Sequence, residues 1–505
     1  MLQRPILAVL VAVSVAALGC SSAKDASTVG DSATPTSAPP RPYKPVWTEG
    51  PCVVEVPDGA AVTCGTLTVP ENRAKPTGAK VTLPVVRIHS TSPTPEPDPV
   101  VYLHGGPGIA TLPNGIGGKI RNPVLEHRDL IVFDQRGAGL ATPSLNCPER
   151  EEAFLQALAS PAPFSQELAS FDTAISTCYQ RLKAEGHDLD QYNSATDAAD
   201  LADLRVAMGF DEWNLWGVSY GTRLALTEMR SYPEGIRSVV LDSVYPPSAG
   251  AVDDTVRSGT RAFDALANGC STDPSCHARF PDVKGDLDKL ALALDAAPYT
   301  FDFTMPDGTV RTLKLTGNDA VAGLFNALYE TSLIPQLPAA IHDLAAGGRA
   351  LVPLIAQDGI PFVNDTSEGA FLSYECADNG ARIDPAVVTK LRKDPGRAGL
   401  LLLAGWNVFC DKWPVRHLAK DYGDVVTSDI PTLVIAGEYD PITPPATSKA
   451  VADALSDSVF VQVPHAGHGP GPDTECSLGI FTRFFDESTK VDTSCVATIV
   501  PAPFA

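Results

Sequence analysis

Positive charge is scarce in this sequence. Its 505 residues carry 38 Lys and Arg against 60 Asp and Glu, a formal net charge of −22. A surface of that sign repels nucleic-acid phosphates and anionic lipid heads, so neither is expected as a partner, and the acidity itself serves solubility. Clustered metal ligands are missing too: no C-x-x-C pair and no grouped Cys/His set occurs, which argues against a metal site. No internal repeat is visible. The N-terminal apolar run, Pro5–Leu18, falls short of the roughly 20 residues that a membrane span needs. What is present is 44% hydrophobic, enough for a sizeable core, and 40 Gly with 45 Pro point to many loops.

The first twenty residues point to export. Met1-Leu2-Gln3-Arg4 brings one positive charge, Pro5–Leu18 is apolar, and the segment closes on Ala17-Leu18-Gly19-Cys20. That is the layout of a secretory signal over residues 1–20. Its end resembles a bacterial lipobox, with Ala17 where leucine is usual. The resemblance implies lipidation of Cys20 and a membrane-anchored lipoprotein of a bacterial cell envelope; ordinary cleavage nearby would yield a secreted protein. The lipid would be the sole membrane attachment. Residues 21–46, small, polar and Pro-rich, read as a flexible linker. Of the 11 cysteines, ten remain once Cys20 is set aside, and they fall as near neighbours: Cys52 and Cys64, Cys147 and Cys178, Cys270 and Cys276, Cys376 and Cys410, Cys476 and Cys495. Export permits disulfides, and pairing of sequence neighbours is the simplest connectivity.

Past Trp47, Thr66–Val69 and Val81–Ile88 read as antiparallel strands. Val100–Leu103, Leu130–Phe133, Trp213–Trp216, Val239–Leu241, Thr432–Ala436 and Val459–Val463 then alternate with helical stretches such as Ala195–Met208, Tyr220–Arg230 and Ser477–Phe485. Such alternation predicts an α/β fold, a mostly parallel central sheet with helices on both faces. A strand–helix–strand unit needs only about 30 residues, yet far more separate Leu241 from Thr432. Helical patterns at Val256–Ala267, Val283–Leu294, Ala320–Leu328, Ile334–Ala346 and Val387–Leu403 predict a large, mainly helical cap over 248–428, inserted into a core built from 47–247 and 429–505.

Gly217-Val218-Ser219-Tyr220-Gly221 is a G-x-S-x-G sequence between a strand and a helix. A serine in so tight a turn needs small neighbours two residues away on either side. The helix N-terminus that follows favours developing negative charge. Ser219 is thus the expected nucleophile of an α/β-hydrolase fold. A serine hydroxyl needs a base, and His468 in His465-Ala466-Gly467-His468-Gly469 supplies one, while His465, nearer the strand, reads as a packing residue. The acid should follow the preceding strand, where Asp440 precedes Pro441; Glu438 reads as a surface carboxylate. The chain order Ser219, Asp440, His468 is that of this fold. His104-Gly105-Gly106-Pro107-Gly108 follows the strand Val100–Leu103, so the N–H groups of Gly106 and Tyr220 are the expected oxyanion hole, with His104 steadying the loop. The reaction requires no cofactor.

HGGPG at 104–108, the Asp134-Gln135-Arg136-Gly137 turn and the GVSYG elbow together resemble the prolyl aminopeptidase family of α/β-hydrolase serine peptidases. The Cys-rich lead-in, the Trp406–Trp413 stretch with Cys410, the YDPITPP segment and the Cys-containing tail resemble its tripeptidyl aminopeptidase branch. The resemblance spans about residues 47–495. It implies an exported serine exopeptidase that releases short peptides from a free N-terminus, with ester hydrolysis in some members. Family members bind the substrate ammonium through acidic cap residues, which here match Glu375 and Asp378. Arg136 is expected to pin its loop by pairing with carboxylates. A carboxylesterase or lipase with the same triad, acting on small esters, is the alternative. A non-catalytic envelope lipoprotein is a further one, disfavoured because all three triad residues are present.

Overall fold

The computed structural model describes residues 43–251, 253–305, 308–349, 366–393 and 406–505. The signal-like segment with Cys20, the linker up to residue 42, and residues 394–403 of the expected helix Val387–Leu403 lie outside them. Among the described residues there are eleven strands: β1 Val46–Glu49, β2 Val62–Pro70, β3 Lys80–Ile88, β4 Val100–Leu103, β5 Leu130–Phe133, β6 Trp213–Val218, β7 Ile236–Asp242, β8 Tyr299–Thr304, β9 Val310–Leu315, β10 Thr432–Gly437 and β11 Ser458–Val463. Nine form one sheet in the order β1-β2-β3-β5-β4-β6-β7-β10-β11. Pairing is antiparallel from β1 to β5 and parallel from β5 to β11.

Central strands that are buried on both faces read as continuous apolar runs. In β4 (VVYL) and β5 (LIVF) every residue is buried. The pleat still sorts them. Val101, Leu103, Ile131, Phe133 and Leu215 face one core with the helices Ser194–Met208 and Tyr220–Ser231. Val100, Tyr102, Leu130, Val132 and Trp216 face the other, against Phe481, Phe484 and Phe485 of the helix Glu475–Glu487.

Between β7 and β10, the helices Asp254–Thr272, Val283–Ala296, Gly317–Ala327 and Leu337–Ala345 enclose a core of their own, with Leu266, Leu290, Phe325 and Ile341 buried together. The antiparallel pair β8–β9 belongs to this region and was not expected from sequence. The helix Glu368–Asn379 departs from the reading of one cap over 248–428. All twelve of its residues are buried, and Ala370, Leu372, Tyr374 and Cys376 pack into the core on one face of the main sheet. Five disulfides join Cys52 to Cys64, Cys147 to Cys178, Cys270 to Cys276, Cys376 to Cys410 and Cys476 to Cys495. Among the described residues no helix is long and apolar enough to cross a membrane.

Arg136 shows how the loops at the sheet edge are held. Its side chain is wholly buried and forks onto Asp200 at 2.5 and 2.7 Å, while Nη1 donates to the carbonyls of Glu71 and Gln191. Burial opposes ionisation of Asp200, but Arg136 and Arg73 outweigh it and hold the carboxyl below its usual range. Arg136→Ala would leave that carboxylate facing only Arg73. A loss of about 3–5 kcal/mol is expected in denaturant titration; a loss under about 1 kcal/mol would show that the pair carries little of the stability.

Candidate active site

The turn after β6 is built for a strained serine. Ser219 has φ 57° and ψ −122°, outside the conformations that non-glycine residues ordinarily adopt. Neighbouring atoms explain the two glycines. A Cβ on Gly217 would lie 2.5 Å from the carbonyl oxygen of Gly221, and one on Gly221 would lie 1.9 Å from that of Leu103. The N–H of Ser219 donates to the carbonyl of Asp242 at 3.0 Å, and its own carbonyl accepts from the Thr222 N–H and hydroxyl at 2.9 and 2.6 Å. The chain then enters the helix Tyr220–Ser231, of which Ser219 is the N-cap.

The loop after β4 lies directly against this turn. A Cβ on Gly105 would stand 2.9 Å from that of Ser219 and 3.4 Å from its Oγ. Gly106 has φ +115°, and it lines the same cavity as Ser219. Gln135 donates to the carbonyl of His104, whose Nδ1 is 3.3 Å from the carbonyl of Gly105. Burial, with Lys119 nearby, pushes His104 down to about 4, so its ring is neutral near pH 7. Its contacts are those of a loop support.

The acid and base loops are pressed together beyond β10 and β11: a Cβ on Gly437 would lie 1.7 Å from the carbonyl oxygen of Gly467. Asp440, fully buried, receives the backbone N–H groups of Ile442 and Thr443 on Oδ1 at 2.9 and 2.8 Å. Its Oδ2 receives the Thr443 hydroxyl at 2.6 Å and lies 2.8 Å from His468 Nδ1. Burial disfavours the charged forms of both partners, yet each stabilises the other: Asp440 is held below its ordinary value and His468 above. Nδ1–H therefore points at the carboxylate and leaves Nε2 as the proton acceptor.

Among the described residues no hydrogen bond joins the hydroxyl of Ser219 to the ring of His468, although the two loops meet. Their loops touch where a Cβ on Gly469 would lie 3.3 Å from Val218 Cγ1. Such bonds are commonly long or misaligned before the substrate complex forms.

Ser219 and Gly106 line a cavity of about 870 Å³ together with Tyr245, Tyr329, Glu375 and Thr443. Glu375 is buried; its carboxylate accepts from Tyr245 Oη at 3.0 Å and Asn379 Nδ2 at 2.8 Å. Burial raises its pKa and Arg223 opposes the rise. Asp378 is placed otherwise than expected. It is not among the cavity's lining residues, and its oxygens accept the N–H and hydroxyl of Ser194, with Arg223 at 3.6 Å. Ser194 in turn bonds the phenol of Tyr220 at 2.8 Å, so Asp378 braces the residue after the nucleophile rather than a substrate.

His465 packs edge-on against Tyr439, and its N–H donates to Glu438, which is half-buried rather than on the open surface. Sequence reasoning missed three neighbours. Thr443 could have been found from its place three residues after the acid. Tyr329, whose ring centroid is 4.7 Å from that of His468, carries no local signal. Nor does Arg261, which donates to the carbonyls of Glu438 and Asp440 from the helix Asp254–Thr272. The Cys/carboxylate trio close enough to share an ion among the described residues, Cys147, Glu149 and Cys178, has its two sulfurs bonded to each other.

A family model described as alpha/beta hydrolase fold matches residues 98–269, and one described as TAP-like protein matches residues 402–495. Serine protease Hip1 of Mycobacterium tuberculosis is 25% identical over 484 residues, covering 90% of this chain and 90% of the relative. The tripeptidyl aminopeptidase of Streptomyces lividans is 26% identical over 414 residues, covering 76% and 73%. Carboxylesterase B of Mycobacterium tuberculosis is 24% identical over 417 residues, covering 75% and 76%. With the sheet order and the strand–serine–helix turn already described, these matches identify the chain as a serine hydrolase of the α/β-hydrolase fold, similar over residues 402–495 to TAP-like proteins.

Proposed function

We propose that the protein is an exported serine exopeptidase that releases residues or short peptides from free N-termini. Ser219 attacks the scissile carbonyl as His468 Nε2 takes its proton, with Asp440 holding the imidazolium. The tetrahedral oxyanion rests on the N–H groups of Gly106 and Tyr220. His468 then protonates the leaving amine and draws a proton from the water that releases the acyl group. The observation that carries the peptidase reading is Glu375, a buried carboxylate in the wall of the cavity that holds Ser219. Such a group receives an ammonium by a charge-assisted bond. The helical region within 248–428 serves in this reading as the cap that closes over the peptide.

Glu375→Gln keeps the hydrogen-bonding shape and removes the charge. KM for peptides with a free amine should rise about 10- to 100-fold, with N-acetylated peptides unaffected. Mass-spectrometric profiling of free and blocked peptides on the parent protein tests the wider claim: equal turnover of both would refute the aminopeptidase reading. Esterase action is the second reading, favoured by the carboxylesterase relative and by an apolar stretch of cavity wall that includes Val244, Val426 and Val451. Turnover of short-chain esters with none of peptides would select it. Five disulfides support an oxidising, exported setting, and the sequence up to Cys20 supports a lipid anchor there.

A further inference from the structure

The last residue of β7, Asp242, and its neighbour Ser243 stand between the serine turn and the histidine loop and bond to both. The carbonyl of Asp242 accepts the N–H of Ser219 at 3.0 Å, and its carboxylate Oδ2 accepts the N–H of Gly471, also at 3.0 Å. Ser243, with φ 60°, donates its N–H to Ile435 of β10 at 2.9 Å, and its hydroxyl accepts the N–H of Gly469 at 2.8 Å. A left-handed backbone at a serine is a strained arrangement that surrounding structure must hold in place. The fit is close: a Cβ on Gly471 would lie 2.6 Å from Asp242 Oδ2.

Asp242 is fully buried, and its second carboxylate oxygen has no hydrogen-bond partner among the described residues. Leaving such an oxygen unpaired costs stability. The charged and titratable groups acting on it or feeling its charge are His468, Asp440 and Asp473 on the histidine side, and Lys119 and Tyr102 on the β4 side. Burial pushes Asp242 up to about 7 against the pull of the Gly471 N–H. Its negative charge favours the cationic form of His468.

We propose that Asp242 is a positioning residue for the hydrolytic reaction: its main chain seats the nucleophile, its carboxylate holds the loop carrying the base, and the two contacts together set the gap between Ser219 and His468. The proposal rests on the reading of Ser219 and His468 as nucleophile and base. Its reach is specific, since neither Asp242 nor Ser243 lines the cavity that holds Ser219. Loss of the carboxylate therefore acts on kcat and leaves KM in place.

The test compares Asp242→Ala, Asp242→Asn and Ser243→Ala with the parent on p-nitrophenyl butyrate, with Ser219→Ala alongside. Rates are normalised to sites labelled by a fluorophosphonate. Asp242→Ala should lower kcat about 10- to 100-fold, the scale of a misplaced catalytic group, with KM within about twofold. Asp242→Asn, whose amide oxygen can still accept the Gly471 N–H, should recover much of that loss. It should also move the acidic limb of kcat/KM to lower pH, because a charge that favours protonated His468 is gone. If Asp242→Ala does not accumulate as folded protein, the limb shift in Asp242→Asn and a several-fold fall in kcat for Ser243→Ala carry the test. The proposal is overturned by a kcat per labelled site within about twofold of the parent in Asp242→Ala. It is equally overturned if Asp242→Asn shows neither recovery nor a shifted limb, or if, in the fallback, both the limb and the Ser243→Ala kcat stay unchanged. Full activity in Ser219→Ala is a separate result, which would sink the active-site reading beneath it.

Discussion

Ser219→Ala is expected to lower kcat/KM by about ten-thousand- to a million-fold while leaving the fold intact. The expectation of a clean loss comes from the turn. The residue at 219 adopts φ 57° because the strand, the two flanking glycines and the Asp242 carbonyl hold it there, and the Ser219 hydroxyl makes no bond that supports the backbone. Alanine removes the attacking oxygen and little else. Labelling by a fluorophosphonate should vanish in parallel. Residual activity within about tenfold of the parent would assign the nucleophile to another residue.

Asp440→Asn should cost about a thousand- to ten-thousand-fold in kcat, and the reason lies in how the carboxylate is shared. Oδ1 is held by two backbone N–H groups, from Ile442 and Thr443, which accept no substitute for an oxygen. An asparagine must therefore keep its carbonyl oxygen on that side and turn its NH₂ toward Thr443 and His468. The imidazole then accepts at Nδ1 and carries its proton on Nε2, where it can no longer take one from Ser219. The His468 pKa, raised now by Asp440, should fall, so the acidic limb of the residual activity moves to lower pH. A kcat within about tenfold of the parent would mean that the carboxylate does not set the tautomer.

The core of the fold was legible because its signals are local. β4 and β5 begin and end where the apolar runs do, since strands buried on both faces have no polar alternation to blur their ends. The elbow was legible for a different reason: Gly217 and Gly221 are required by specific close approaches. β8 escaped notice because its residues alternate between half-buried and exposed, with none fully buried. The helix Pro148–Ala159 escaped too, a charged segment whose buried positions include an arginine. The choice between Glu375 and Asp378 was out of reach for a physical reason. They stand on a helix buried all round, so no exposed face marks which carboxylate turns to the cavity. Periodicity is informative only where one side of an element meets water. The gap between Ser219 and His468 was likewise beyond sequence, because it depends on how β7, β10 and the histidine loop settle against one another.

The long excursion between β7 and β10 has a consequence for how this scaffold can change. The two strands it joins are immediate parallel neighbours, Val239 opposite Thr432, so the sheet is completed by the same crossover whatever hangs from it. Closing a chain loop of twice the length costs only about 0.6 kcal/mol more, and the inserted helices Asp254–Ala345 bury one another in a core of their own. The inserted helices could thus be lengthened, trimmed or exchanged while the platform that holds the reacting groups keeps its register, which lets selectivity drift independently of chemistry.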